Sequence, residues 1–331
     1  MYIEPKVALK LSTLFIQLTE QKASLDAPVN ATLTELSDAA KRIGLEWFNR
    51  ARFEQAAFYL TFPALNGDGD AQYAMATSTA RLYGSTRYPF EETKKWLRLA
   101  AAKNNIFALM WLGDRESLAK ATELSMAAVA AGNTQGMLNM YTLTEDITWL
   151  KKAADLGDPK AQFKLADAYR QHPGLMPNAV ELAAVIEELC QKAADAGYSL
   201  ALSDRVFSRT STASMAEKQH RLAQLALVGD QEGLLEYGYA LAGMPRNKTT
   251  PARTYGFEKD LPKACAVLRF VIPRMEGFDP VSGAEDDINE ISHQMSPKQH
   301  DACAVILLEL KSKIPSALPP REPLIVLGYG N

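Results

Sequence analysis

Small and apolar residues return along this chain in a fixed relation to a turn-forming residue. In six stretches a Gly or Asn is followed four places later by Ala or Gly: Gly67/Ala71, Asn104/Ala108, Gly132/Gly136, Gly157/Ala161, Gly197/Ala201 and Gly229/Gly233. Eight places before the turn residue stand Tyr59, Trp96, Leu124, Trp149, Leu189 and Arg221. Five of these six are large and apolar, as expected on the inner face of a helix. The small pairs Ala100/Ala101, Ala153/Ala154 and Ala193/Ala194 stand four and three places before the turn. Four places beyond the small residue come Met75, Leu112, Met140, Leu165 and Tyr237, often followed by another small residue (Ala76, Gly113, Ala166, Gly238). The copy that begins at Ala201 departs from this with Arg205 and Val206, and the copy at Gly136 has Tyr141 in the small position.

The pattern has a direct physical sense. Gly or Asn at a helix end adopts the left-handed conformation that closes the last turn. The small residue four places on lies at the start of the next helix and lets it approach its neighbour closely. The unit is therefore a pair of helices: helix A opens with the small residue and helix B ends at the glycine. Successive small residues are 37, 28, 25, 40 and 32 apart, which implies insertions and shortened loops between A and B. One such hairpin cannot bury its apolar face alone, whereas a stack of them can. The expected fold is all-α, a right-handed α/α solenoid of about seven hairpins, caps included, in one continuous domain.

The ends read as caps. At the N-terminus, Val7, Leu11, Leu14, Phe15 and Leu18 share one face of an amphipathic helix. Glu4 and the interspersed lysines leave no continuous apolar run of signal-peptide type, and no run reaches membrane-span length. Near the other end, Ser296 is placed as an N-cap, Pro297 suits the first helical position and Gln299 completes a capping box. The expected organisation is a capping region over 1–38, repeats over 39–275, capping helices over 276–313 and an extended proline-rich tail over 314–331.

Composition narrows the function. Of the 331 residues 47% are hydrophobic and 23% charged, an ordinary globular balance, and the net charge is −3. No basic stripe of the kind that marks nucleic-acid or membrane-surface binding is present. Cys190, Cys265 and Cys303 are far apart and odd in number, so no disulfide framework is implied. Reduced, mostly buried thiols are the simplest reading and favour a reducing compartment, hence a cytoplasmic location, or a periplasmic one if a signal peptide has been removed.

The stretch WLKKAADLGDPKAQFKLADAY, Trp149 to Tyr169, carries an aromatic before a Lys-Ala-Ala run, then Gly, Ala, a Leu with a small residue after it, and a Tyr. It resembles the Sel-1-like repeat, a relative of the tetratricopeptide repeat. GLLEYGYALAG, Gly233 to Gly243, followed by DLPKACAVLRF, resembles another unit with an enlarged A–B loop. The resemblance implies a stack of helical hairpins used for protein–protein binding, in adaptors and scaffolds of bacterial signalling, secretion and envelope assembly. It also implies a more specific role, since divergent members serve as immunity proteins that neutralise secreted antibacterial effectors. Some cysteine-rich members are β-lactamase-like; these carry a disulfide pair in each repeat, and the three cysteines here do not recur with the repeat.

Motifs for catalysis or cofactors are wanting. His172, His220, His293 and His300 form no His-Glu-x-x-His arrangement, and there is no Cys-x-x-Cys pair, P-loop or nucleophile elbow. His293 and His300 are separated by Pro297, which starts a new helix. The alternating Gly67-Asp68-Gly69-Asp70 invites a calcium or phosphate reading, but it lacks the further ligands of an EF-hand and has five sister junctions. We therefore expect no enzymatic activity, no cofactor and no metal, and a protein as partner. Two segments are candidates for partner contact. The insertion over 243–260 carries Arg246, Lys248 and Arg253 beside Tyr255 and Phe257, a mixture enriched in binding hot spots. Loops longer than about a dozen residues are either functional or disordered, and both readings stand for this one. The acidic run Glu285, Asp286, Asp287 reads first as a solvated helix N-terminus, with contact to a basic partner as the functional alternative.

Overall fold

The computed structural model describes residues 27–82, 90–176, 178–209, 211–246, 251–275 and 283–314, with backbone only for 27–29. The amphipathic N-terminal stretch, Lys248 and the tail beyond Ile314 lie outside the described residues. Among the described residues there are sixteen α-helices and no strand. They fall into two compact units that meet in sequence between Trp149 and Leu150.

The first unit holds α1 (Ala27–Asn49), α2 (Phe53–Leu65), α3 (Gly69–Leu82), α4 (Glu91–Ala102), α5 (Ile106–Leu112), α6 (Arg115–Ala130) and α7 (Thr134–Thr144). Each helix packs chiefly on the next one in the chain. Its core gathers Leu60, Leu97, Trp96 and Trp111 around the small residues of α3. Ala71, Ala76 and Ala80 are fully buried there, so α3 is enclosed and its neighbours come close.

The second unit holds α8 (Thr148–Asp155), which starts at the division, then α9 (Pro159–Gln171), α10 (Ala179–Asp195), α11 (Ser199–Phe207) and α12 (Met215–Leu227). It continues with α13 (Gln231–Ala242), α14 (Leu261–Val271), α15 (Ala284–His293) and α16 (Pro297–Lys313). Neighbours in sequence pack together from α9 to α14, and α14 then receives both α15 and α16. Its core centres on α13 and α14, where Leu234, Leu235, Leu268 and Phe270 are at most 1% exposed.

The repeat junctions explain this order. All six turn residues have positive φ, from +61° at Asn104 to +90° at Gly67. Each closes its helix with the same two bonds. At Gly157 the amide donates to the Ala154 carbonyl at 2.9 Å, and the next amide, of Asp158, donates to Ala153 at 3.1 Å. This is the Schellman closure. At five of the six junctions the very next residue already caps the following helix with its side chain; Tyr198, after Gly197, does not. Asp68, Asn105, Asp158 and Asp230 each accept from the amide three places on at 2.8–3.0 Å, and Asn133 accepts from Gln135. The amide three places on belongs to the small residue of the pair, so Ala71, Ala108, Ala161 and Gly233 each stand third in their helix, packed inside. At Gly233 even a methyl group would fall 2.5 Å from Leu225 Cγ.

Some details differ from the sequence-based expectation. The innermost position of helix B is seven places before the turn residue, not eight: Leu60, Leu97, Ser125, Leu150, Cys190 and Leu222 are all at most 1% exposed. Trp149, expected in the core, is only half-buried because Leu150 takes that place. Gly113, read as a small packing residue, has φ +69° and ends α5, and Asp114 caps α6 directly after it. A further junction of the same form joins α1 to α2, with Ala51 at φ +59° and the amides of Ala51 and Arg52 donating to Phe48 and Trp47. The expected capping box at Ser296 and Gln299 is present.

Candidate protein-binding surface

The insertion between α13 and α14 lies within the second unit, and its described residues are anchored at both ends. Gly243, at φ +66°, ends α13. At the far end the Asp260 amide returns to the Leu241 carbonyl at 2.9 Å, and the Asp260 side chain caps α14 through the Lys263 amide at 3.1 Å. Between them Tyr255 turns inward. Its φ is +50°, it is 8% exposed, and its hydroxyl donates to Glu236 Oε1 at 2.8 Å. Burial first, and then the Glu236 carboxylate, push the Tyr255 phenol up to about 12. Phe257 rests edge-on against Tyr237, with ring centroids 5.1 Å apart. Lys263 lies over the same Tyr237 ring at 5.2 Å.

Of the sequence candidates, then, Tyr255 and Phe257 hold the loop down, and Tyr255 is not an exposed contact residue. Arg246 pairs with Glu232 of α13, and Arg253 is exposed beside the Tyr255 hydroxyl. In the acidic run, Glu285 and Asp286 are exposed on the first turn of α15, whereas Asp287 accepts from the Tyr239 hydroxyl at 2.7 Å. Arg246 also acts electrostatically on that hydroxyl. The fold thus brings the insertion and the acidic run, some forty residues apart in sequence, to one face around Tyr239.

At the far end of the insertion is an open groove of about 860 Å³. Tyr237, Leu241 and Phe257 supply its apolar wall, Glu258, Lys259 and Lys263 its charges, and Gln294 and Gln299 the side formed by α15 and α16. Lys259 Nζ donates to Gln294 Oε1 at 3.0 Å. Apolar floor with charges of both signs suits a polypeptide better than a small apolar ligand.

Other candidate chemistry resolves into structure. Asp68 and Asp70 both face Lys41 Nζ, at 2.7 and 3.3 Å, besides the capping role of Asp68. No group of three or more potential metal ligands clusters among the described residues.

Sequence reasoning missed a buried ion network, although its two irregular positions were in view. Arg205, in place of the usual apolar residue, is 4% exposed and donates to Glu217 through Nε at 2.9 Å and Nη2 at 2.7 Å, and to the Glu187 carboxylate at 2.7 Å. Arg221, also 4% exposed, pairs with Asp195 at 2.5 Å and flanks Glu217 at 3.9 Å. The Arg205 hydrogen bond is the main reason that the Glu187 carboxyl is held below its usual range. The departures from the repeat pattern are therefore coupled to each other, linking α10, α11 and α12.

No protein-family model and no curated protein sequence matches the chain. Several solved structures are similar to it, two of them as follows. A protective antigen of uropathogenic Escherichia coli, displaying an SLR fold, is 17% identical, with a TM-score of 0.41 over 92% of this chain and 68% of that one. A Sel1 repeat protein from Oxalobacter formigenes is 19% identical, with a TM-score of 0.35 over 87% of this chain and 93% of that one. These Sel1-repeat structures are what the chain is similar to, and the all-α repeat fold itself stands on the junctions and helix order described above.

Proposed function

We propose that this chain is a non-catalytic protein-binding repeat protein, and specifically a bacterial immunity protein that binds and neutralises a secreted antibacterial effector. The observation that carries the reading is the anchored insertion. Tyr255, Phe257, Gly243 and Asp260 hold its ends in place before any partner arrives, so less ordering entropy opposes binding. Around them Arg253, Lys259, Glu285 and Asp286 offer both signs of charge on the exposed surface. A surface formed in advance suits one dedicated partner better than a succession of different ones.

Affinity purification with the tagged chain from its source cells tests this. One dominant partner is expected. If it is an antibacterial effector, co-production of the chain restores growth of cells making that effector. Recovery of several signalling, secretion or envelope proteins, with no growth rescue, assigns the chain to general scaffolding instead.

A further inference from the structure

Against the sequence-based expectation of reduced thiols, we propose that Cys265 and Cys303, free thiols in this structure, can form an intramolecular disulfide that staples the C-terminal helix α16 to α14. The two Sγ atoms lie 2.7 Å apart. Non-bonded heavy atoms rest at about 3.5–4.0 Å, and a disulfide bond is about 2.05 Å long. The pair is therefore already well inside ordinary contact, and the helices that carry it pack along each other. The position gives the bond a purpose. Cys303 is the one buried side chain of α16, while Val305 and Leu308 on the same helix are 56% and 66% exposed. Ile306, Leu307 and Leu310 of α16 pack partly buried against the same core, and the bond ties that packed face to α14 covalently. Cys190, the third cysteine, sits on α10 beside Arg170.

The bond forms by exchange with a disulfide donor, either a small molecule such as glutathione disulfide or a protein disulfide. The Cys303 thiolate attacks one donor sulfur, forms a mixed disulfide and releases one donor thiolate. The Cys265 thiolate then attacks the Cys303 sulfur, closes the Cys265–Cys303 bond and releases the second. The two cysteine protons end on the two released thiols, and the donor gains the two electrons that the pair loses. With α16 docked, both thiols are shielded, and burial pushes the Cys303 thiol up to about 12. Exchange therefore runs while α16 is undocked, during folding or transient opening, and docking then protects the product. Because α14 contributes Lys263 and α16 contributes Gln299 to the groove, the bond also fixes two of its walls. The inference holds whether or not that groove binds a protein.

The test is to unfold and reduce the full chain, then refold it in a glutathione/glutathione disulfide mixture and, separately, in reducing buffer. Free thiols are alkylated in denaturant and mapped by mass spectrometry. The oxidised sample should show only Cys190 alkylated and a peptide linked through Cys265 and Cys303. Its melting temperature should exceed that of the reduced sample by about 5 °C or more, and Cys303→Ser should abolish that difference. Alkylation of all three cysteines after oxidative refolding, or a link through Cys190, would overturn the proposal. The wild-type thiol map decides the matter even if a variant folds poorly.

Discussion

At the scale of the residue, most of the repeat junctions use a two-residue device: a left-handed closer followed at once by a side-chain cap, which Tyr198 and Arg52 do not supply. Gly157 is the cleanest place to test it. At φ +86° with nothing within 4 Å of the position a Cβ would take, its requirement is conformational and not steric. Gly157→Val should lower stability by about 1–3 kcal/mol, whereas Gly174→Ala, at a site with open space and no positive φ, should stay within about 0.5 kcal/mol. Urea unfolding distinguishes the two. The neighbouring cap gives a second expectation: Asp158→Ala removes the acceptor of the Ala161 amide and should cost about 0.5–2 kcal/mol in the same assay. The turn residues and their small partners were legible in the sequence because few residue types satisfy either requirement. The junction at Ala51 was not, since alanine carries no sign of the left-handed conformation it adopts there. Nor was the one-residue shift of the inner face, because adjacent positions such as Trp96 and Leu97 are both apolar and both buried.

At the scale of the element, the two arginines that break the repeat pattern are paired within it. Arg205→Ala leaves Glu187 and Glu217 without their main cation and should destabilise the fold. Loss of one partner of a fully buried pair costs about 3–5 kcal/mol. Since the two glutamates are 47% and 25% exposed, water compensates in part and the loss should fall to roughly half of that. The network also predicts a pH response. Glu187 has a folded-state carboxyl pKa lowered chiefly by Arg205. Its contribution is thus present above the unfolded value of about 4.3 and is lost as pH falls through the lowered folded value. Thermal melts of wild type should weaken across that acid window, and Arg205→Leu should flatten the acid limb. An unchanged acid profile in the variant would separate Glu187 from Arg205. The sequence showed these positions only as irregularities, because their main partners, Glu187 and Glu217 for Arg205 and Asp195 for Arg221, lie 12 to 26 residues away and on other helices.

At the scale of the whole molecule, helix type and order followed from periodicity, whereas helix number did not, since the pattern predicts about seven hairpins and sixteen helices are found among the described residues; nor did the candidate surface. Arg246, Arg253, Phe257 and the acidic run were named from composition, yet only the fold shows that Tyr255 faces inward and that Asp287 is bound to Tyr239. What remains outward is a smaller set, Arg253, Lys259, Glu285 and Asp286, of which Lys259 lines the groove. Reversing exposed charges there should cost no more than about 1 kcal/mol and leave the chain folded, since none belongs to the described core, although Asp286 favours the α15 N-terminus and Arg253 meets the Tyr255 hydroxyl. The central claim is that this face holds one protein partner, and it is tested most directly by titrating the affinity-purified partner against wild type and the double variant Arg253→Glu/Asp286→Lys. The folded double variant should bind with at least a tenfold weaker Kd. An equal Kd for the two proteins would place the binding surface elsewhere and contradict it.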